Sequence, residues 1–345
     1  MPDILGLTAY GSFFLVIALI NAIACLGLNV QWGQTGLFNV GVAGFIAIGA
    51  YACGLLTTPP TSEHWGGFGL PIAVGWIGAA MLSGLASLLV GAATLRLRSD
   101  YLAITTFGVA VAVHLVVLNA QKLTGGSFGL AFIPRPFEAL AERPALFGLA
   151  NLVLVGGLVA VLFVGLERLA RSPWGRVLRA IREEERAAAS LGKSPSRYRL
   201  QAFALGGAIM GLSGAVHASF IGFIAPDNYG SAVTFQIWTM LIVGGSGRNV
   251  GALTGAVLIW ALWSLTGFAT GVLFPPDAQA RAAALQIVAI GVLLSATLVF
   301  RPRGIFGERI AVSRHADGPI DGGSKGDGGI VGERAGAPRP HRRTE

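Results

Sequence analysis

Long apolar stretches alternate with short polar segments along most of this chain, and the pattern predicts membrane-spanning helices. Crossing a bilayer takes about 20 mostly apolar residues per helix. Nine stretches qualify as candidate spans, and none contains Asp, Glu, Lys or Arg. They are Ile4–Val30, Thr35–Leu56, Leu70–Leu95, Tyr101–Leu118, Leu146–Leu166, Leu200–Ile224, Ser231–Val243, Val250–Phe274 and Ala283–Phe300. The sequence therefore predicts an all-α polytopic membrane protein with about 8–10 transmembrane helices.

Two of these spans need comment. Ser231–Val243 is short for a straight crossing, so it is expected either to tilt or to enter and leave on one side. The first span is too long for a signal-peptide core, and Asp3 precedes it in place of a basic cluster, so it should stay in the membrane. Cys25 and Cys53 fall inside spans and are predicted to be buried free thiols.

Composition agrees with this class and charge sets the orientation. The chain is 53% hydrophobic and 12% charged, with a mean hydropathy of +0.67. When the nine spans alternate, all but four of the 25 Lys and Arg residues lie on one side. Cytoplasmic loops carry such an excess, so the C-terminus is predicted to be cytoplasmic and the N-terminus outside. A net charge of +8 would by itself suggest a nucleic-acid partner, but the positions of the charges next to the spans predict none.

The spans divide the chain into a transmembrane domain over residues 1–306 and a tail over residues 307–345. The tail is rich in Gly, Asp and Arg with few large apolar residues, so it is predicted to be a disordered cytoplasmic extension. Contact between its basic residues and anionic membrane lipid is the alternative interpretation.

The chemistry that a catalytic or ion-driven protein would need is absent from the sequence. Only His114 and His217 could titrate within the spans, and a lone histidine there usually packs neutral against a hydrogen-bond partner. There is no G-x-x-x-x-G-K-[ST] phosphate loop, nucleophile elbow, H-E-x-x-H or paired-cysteine motif. The sequence predicts no catalytic residue, metal site or cofactor, and hence a conduit driven by another polypeptide.

The charged segment Glu167–Arg199 stands out between uncharged spans. Ser172 is predicted to cap a helix that has Pro173 at its first position. This helix should run to Leu191 and end at Gly192 in a left-handed cap. Small residues flanked by charge suit a groove on a partner protein, whereas a solvated surface helix is the alternative.

The residues Glu185–Gly192 read E-R-A-A-A-S-L-G, which resembles the E-x-A-A-x-x-L-G coupling motif of ABC importer permeases. Further stretches resemble branched-chain amino-acid permeases, in order and at similar spacing: Leu95–Ile104, Leu123–Gly126, Ser172–Arg176, Gly222–Pro226, Val243–Gly245 and Arg301–Gly307. The resemblance covers residues 10–307 and is closest to the LivM-type subunit of the leucine/isoleucine/valine system.

This resemblance implies a permease subunit of an importer in the bacterial inner membrane. Its partners would be a homologous LivH-type permease subunit, two ATP-binding cassette subunits and a periplasmic substrate-binding protein. The residues implied to dock on the ATPase are Arg182, Glu183, Glu184, Glu185, Ala188 and Gly192. A permease for urea, amides or another small polar solute, a self-contained channel and a membrane scaffold remain alternatives.

Polar and small residues within the spans have two interpretations each. Hydrogen bonds between helices explain most of the polar ones, which include Asn21, Asn29, Gln34 and Asn39. The substrate pathway is predicted at Thr105, Thr106 and Gln236. Glycines four residues apart, Gly207 with Gly211 and Gly251 with Gly255, predict close helix packing, with flexible helices as the alternative.

Overall fold

The computed structural model describes residues 2–60, 65–97, 99–273, 279–300 and 304–307. The predicted tail, apart from Gly307, lies outside the described residues, as does Phe274 at the end of the eighth span. The α-helices in chain order are α1 Pro2–Leu28, α2 Val42–Thr57, α3 Ile72–Thr94, α4 Ser99–Asn119, α5 Gln121–Thr124, α6 Pro144–Arg171, α7 Pro173–Glu183, α8 Glu185–Ser190, α9 Pro195–Ile221, α10 Ser231–Gly244, α11 Asn249–Leu273 and α12 Gln279–Phe300.

The predicted all-α membrane fold is confirmed, and each of the nine predicted spans corresponds to an apolar helix. Within the described residues, six helices are long and apolar enough to cross a bilayer: Gly6–Gly33, Ile72–Thr94, Ser99–Asn119, Pro144–Arg171, Pro195–Ile221 and Asn249–Val272. The helices α2 and α10 have only 16 and 14 residues. At 1.5 Å per residue both are shorter than the roughly 30 Å hydrocarbon core, so they reach only part of the way across.

The helices α1 and α9 form the centre of the bundle. Of their most apolar 18-residue stretches, 72% and 67% are buried, against 22% in α3, α4, α6 and α11. Those four outer helices present large apolar side chains, such as Met81, Ile104, Val153 and Leu265, at the surface. Such a surface suits lipid or another membrane protein.

The predicted glycine packing is confirmed where the central helices meet their neighbours. A Cβ atom on Gly207 or Gly211 of α9 would overlap Ser87 or Ser83 of α3. A Cβ atom on Gly251 or Gly255 would overlap the backbone around α10. Missing side chains therefore allow backbones to approach closely, as the four-residue spacing predicts.

The two ends of the bundle differ in character. At one end, hydrogen bonds link the last turn of α1, the start of α11 and Glu167 near the end of α6. The segment after α12 joins this end, because Ile305 N–H donates to the Val243 carbonyl at 2.9 Å. At the other end, Leu130 and Ile224 pair through two 2.9 Å backbone hydrogen bonds. This grouping agrees with alternating spans.

The second span begins later than the sequence predicts. Residues 34–41 are not helical, and α2 starts at Val42 rather than at Thr35. Side chains from elsewhere bind the backbone here: Val40 N–H donates to the Thr106 hydroxyl, and Ala43 N–H to the Thr234 hydroxyl, both at 3.0 Å. These oxygens replace the carbonyl partners that a longer helix would supply.

Substitution of Gly49 tests the close approach of α2 and α9. A methyl group there would overlap the backbone of Gly211, which no side-chain movement relieves. We expect Gly49→Ala to destabilise the fold by about 1–3 kcal/mol, seen as a lower thermal aggregation midpoint in detergent. Gly157→Ala in α6 is the control, because no atom lies within 4 Å of its added methyl. Equal midpoints for the two variants would contradict the packing.

Candidate functional site

The charged segment forms two helices rather than the single one that the sequence predicts. Ser172 occupies the cap position before α7, and Pro173 its first turn, as predicted. The Ser172 hydroxyl, however, donates back to the Leu169 carbonyl at 2.6 Å instead of capping α7. The helix then breaks at Glu184, which has extended backbone angles and accepts a 3.3 Å hydrogen bond from Arg186 N–H. Consecutive carboxylates favour the start of a helix over its end, which explains the break.

The left-handed cap predicted at Gly192 is confirmed. Its φ is +76°, where a side chain would be strained. Gly192 N–H donates to the Ala189 carbonyl at 2.9 Å, and Lys193 N–H donates to the Ala188 carbonyl at 3.3 Å. This pair of bonds is the Schellman arrangement, and it terminates α8.

The six predicted docking residues fall into two groups. Glu183, Glu184 and Gly192 are exposed. The other three contact the rest of the protein: Arg182 donates to the Gly33 carbonyl, Ala188 is only 4% exposed, and Glu185, although itself exposed, pairs with Arg199 at 2.8 Å.

Sequence reasoning did not single out Leu191, although it lies inside the quoted motif. Its side chain is 80% exposed beside Gly192, at the end of a short helix among charged residues. A large apolar side chain left open at such a place is suited to burial against a protein partner. The signal in the sequence is that Leu191 is the one large apolar residue between Arg182 and Arg197.

A buried polar junction lies where α1 ends. The helix continues as a π-helical turn over Asn29–Gly33. The Asn29 amide donates to Asn249 Oδ1 at 3.0 Å, and its oxygen accepts from Gly247 N–H at 2.9 Å. Asn249 in turn donates to the Glu167 carboxylate at 3.1 Å. The junction therefore joins three helix ends, and Arg182 binds it at the Gly33 carbonyl.

The junction continues towards the interior through a second set of amides. Gln31 donates to the Phe203 carbonyl and accepts from the Asn39 amide, both at 2.7 Å. The Trp238 indole N–H donates to the Asn39 carbonyl at 2.9 Å. The hydrogen-bonding role predicted for Asn29, Gln34 and Asn39 is thereby confirmed, since Gln34 also donates to the Gly247 carbonyl at 3.1 Å.

A cavity of about 300 Å³ lies between α1, α9, α10 and α11. Its polar lining comes from Asn21, Ser213, His217, Asn228, Gln236 and Trp260. Isoleucines from α1, α2 and α9 supply most of its apolar lining. Within the described part of the chain, no Asp, Glu, Lys or Arg lines it.

Only one of the three predicted pathway residues lies on this cavity. Gln236 lines it, whereas Thr106 is fully buried and binds Val40 N–H and the Ala103 carbonyl. The Thr105 hydroxyl donates to the Tyr101 carbonyl within its own helix at 2.8 Å. The structure thus brings Gln236 together with residues from other helices around the cavity. Both threonines instead form hydrogen bonds away from it.

A smaller cavity of about 190 Å³ lies on the far side of Tyr229. Tyr229 lines both cavities, and its hydroxyl lies 3.4 Å from His217 Nδ1. His114 lines the second cavity, and its Nδ1 has no hydrogen-bond partner. Within the described residues, the hydrogen-bond partner predicted for the histidines is therefore found for His217 and not for His114 Nδ1.

Comparison with known proteins places this arrangement in a family. Residues 11–298 match the family model described as the permease component of the branched-chain amino acid transport system. The chain belongs to this family. The family and the relatives below are transport permeases rather than enzymes, and the apolar helices of this chain indicate a multi-pass protein of the bacterial inner membrane.

Individual relatives share the same description. The permease is 36% identical over 268 residues to the high-affinity branched-chain amino acid transport system permease LivM of Escherichia coli, covering 70% of this chain and 60% of the relative. It is 28% identical over 325 residues to a probable branched-chain amino acid permease LivM of Methanocaldococcus jannaschii, covering 83% and 90%.

Other relatives are named for different solutes. The permease is 28% identical over 254 residues to the guanosine ABC transporter permease NupQ of Bacillus subtilis, covering 68% of this chain and 74% of that one. No solved structure matches the chain. The chain spans less than two thirds of the Escherichia coli relative's length.

Removal of the Arg182 side chain tests its attachment of the charged segment to the junction. A hydrogen bond from a charged donor contributes about 1.5–3 kcal/mol. We expect Arg182→Ala to speed amide hydrogen exchange over residues 173–191 by about tenfold or more, because local opening becomes easier. Arg186→Ala, at an exposed position of α8, should leave the exchange rate unchanged. Identical exchange in both variants would show that Arg182 does not anchor the segment.

Proposed function

We propose that this chain is a permease subunit of an ATP-driven importer that carries branched-chain amino acids across the inner membrane. Family membership and the two LivM relatives support the substrate class. The proposed partners are a homologous LivH-type permease, two ATP-binding cassette subunits and a periplasmic binding protein.

One observation carries the proposal beyond family likeness. An exposed surface formed by Glu183, Glu184, Leu191 and Gly192 projects from a bundle whose spans carry no charge. Its exposed leucine and acidic rim suit a groove on a soluble subunit. We therefore assign docking to this surface, and assign Arg182, Glu185 and Ala188 to holding it in place.

The junction supplies the route by which movement of a docked ATPase would reach the bundle. Arg182 ties α7 to the Gly33 carbonyl at the end of α1. Asn21 of α1 lines the 300 Å³ cavity, eight residues before Asn29. At 1.5 Å per residue, about 12 Å of helix separates the cavity from the junction. Movement of the docked segment would therefore shift a helix that lines the cavity, as in a rigid-body switch.

The orientation follows from the same assignment. ATP is used in the cytoplasm, so the charged segment and residues 307–345 are proposed to be cytoplasmic, and the N-terminus to be outside. Membrane lipid would surround the outer helices. The proposed domain division is a permease domain over residues 1–306 with its coupling segment at 167–199.

Replacement of Leu191 tests the docking surface. Burying a leucine contributes about 1.5–3 kcal/mol, so we expect Leu191→Ser to weaken ATPase docking about tenfold or more and to lower ATP-dependent leucine uptake by reconstituted vesicles. Gly192→Pro should do the same, since proline is incompatible with φ +76° and removes a donor. Leu123→Ser, exposed at the opposite end, is the control.

The alternatives give different results in the same vesicles. Normal uptake by Leu191→Ser and Gly192→Pro would reject the docking assignment. Leucine flux through the purified chain without ATP or partners would favour a self-contained channel. ATP-driven uptake of a solute other than an amino acid, such as a nucleoside, would replace the substrate class and keep the importer.

A cysteine at the tip of α8 tests the orientation. Ser190 is exposed, while the native Cys25 and Cys53 are buried free thiols. We expect Ser190→Cys to react with a membrane-impermeant maleimide only in inside-out vesicles. Labelling in intact spheroplasts would place the segment outside and overturn the proposed orientation.

A further inference from the structure

Two side chains on the 300 Å³ cavity between α1, α9, α10 and α11 carry hydrogen-bond donors that the described residues leave unpaired. Among the described residues neither Gln236 Nε2 nor Trp260 Nε1 has a hydrogen-bond partner, and both nitrogens are closed to solvent although their side chains line the cavity. They come from neighbouring helices, α10 and α11. An unpaired buried donor costs roughly 1–3 kcal/mol, so a fold that keeps two beside one cavity calls for a reason other than stability.

Acceptors and apolar surface lie on the same cavity. Asn21 and Asn228 bring side-chain amide oxygens, and the Ser213 hydroxyl, which donates to the Ile20 carbonyl at 2.8 Å, still has lone pairs to offer. The isoleucines at positions 17, 20 and 46 supply aliphatic surface. The lining therefore combines donors, acceptors and an apolar wall without a fixed charge.

We propose that this cavity is a transient binding site for a zwitterionic amino acid with an aliphatic side chain. On binding, a turn of the Gln236 and Trp260 side chains brings their N–H groups to its carboxylate, and Asn21 and Asn228 accept from its ammonium group. The isoleucines contact its side chain. This assignment rests on the proposed function and adds the place where the solute stops on its way.

Size and charge limit what else the cavity would hold. About 300 Å³ is at the small end of ligand sites. A lining without Lys or Arg disfavours phosphorylated solutes, which need charged donors. A zwitterion carries no net charge, so neutral donors and acceptors satisfy both its ends while binding it weakly enough for release.

The position of the cavity also fits a stopping point. It lies about 12 Å along α1 from the polar junction that holds Arg182, so the coupling segment and the cavity share a helix. The helix α10 is shared in the same way, because Gln236 lines the cavity and Trp238 binds the Asn39 carbonyl. A change at the junction would thus alter the cavity lining.

The test uses the complete transporter in vesicles with its binding protein, and it measures leucine uptake and ATP hydrolysis together. The variants are Gln236→Leu, which keeps the approximate size, and Trp260→Phe, which keeps a flat ring. The control is Trp263→Phe, one turn along α11 and away from the cavity. Because a hydrogen bond to a charged group is lost, leucine moved per ATP should fall about tenfold in each cavity variant and stay unchanged in the control.

A stability measurement separates binding from a structural role. Removing an unpaired buried donor relieves its cost, so Gln236→Leu should keep or raise the thermal midpoint of the substrate-free complex. A lower midpoint with uptake and ATP hydrolysis falling together would mark Gln236 as structural and overturn the proposal.

Two further outcomes are distinguishable. If both cavity variants move as much leucine per ATP as the wild type, the solute does not bind in this cavity and the proposed site is rejected. The proposed importer function would be unaffected. ATP hydrolysis stimulated by the binding protein without any branched-chain amino acid uptake by the wild type would reject the substrate class itself, and the cavity assignment with it.

Discussion

A helix that ends inside a membrane protein leaves backbone groups that no water satisfies, and other parts of the protein must bind them. The chain meets this constraint after α1, where residues 34–41 run without helix between the π-helical turn and α2. Amides of Asn29, Gln31 and Asn39, together with the Thr106 and Thr234 hydroxyls, bind this segment and its neighbours. Because Thr106 and Thr234 belong to α4 and α10, far along the chain, the segment has a defined conformation only in the assembled bundle.

The same junction explains how the charged segment is attached to the bundle. A surface helix tied down only by apolar contacts could slide, but α7 carries Arg182 into the end of α1. Glu185 adds a link to the start of α9 through Arg199. The charges of the segment thus divide between attachment and an exposed rim, so force on the rim acts on central helices. This is the property that the proposed coupling requires.

An uncharged interior has a consequence for the solutes carried. Relatives of this chain are named for branched-chain amino acids and for guanosine, which share zero net charge but differ in size and shape. A cavity without charged residues excludes few neutral solutes. A few amide or indole groups in its lining change which solute it binds, at little cost to the stability of the fold. In this chain the proposed source of that preference is the pair of unused donors on Gln236 and Trp260.

Sequence alone determined the membrane class, the nine apolar helices, the positions of Pro173 and Gly192 and the glycine packing on α9, because each depends on local composition or on spacing within one helix. It gave the wrong start for α2 and a single helix through Glu184. The docking and cavity residues could be predicted from the sequence only in part. Leu191 stands out only as an apolar residue among charged ones, and nothing in the sequence distinguishes Trp260 from the other tryptophans. Tertiary structure decided which side chains meet at the junction, because those contacts join residues 82 to 220 positions apart. It also decided that Arg182 turns inward while Leu191 stays exposed, because exposure depends on what the folded bundle leaves uncovered.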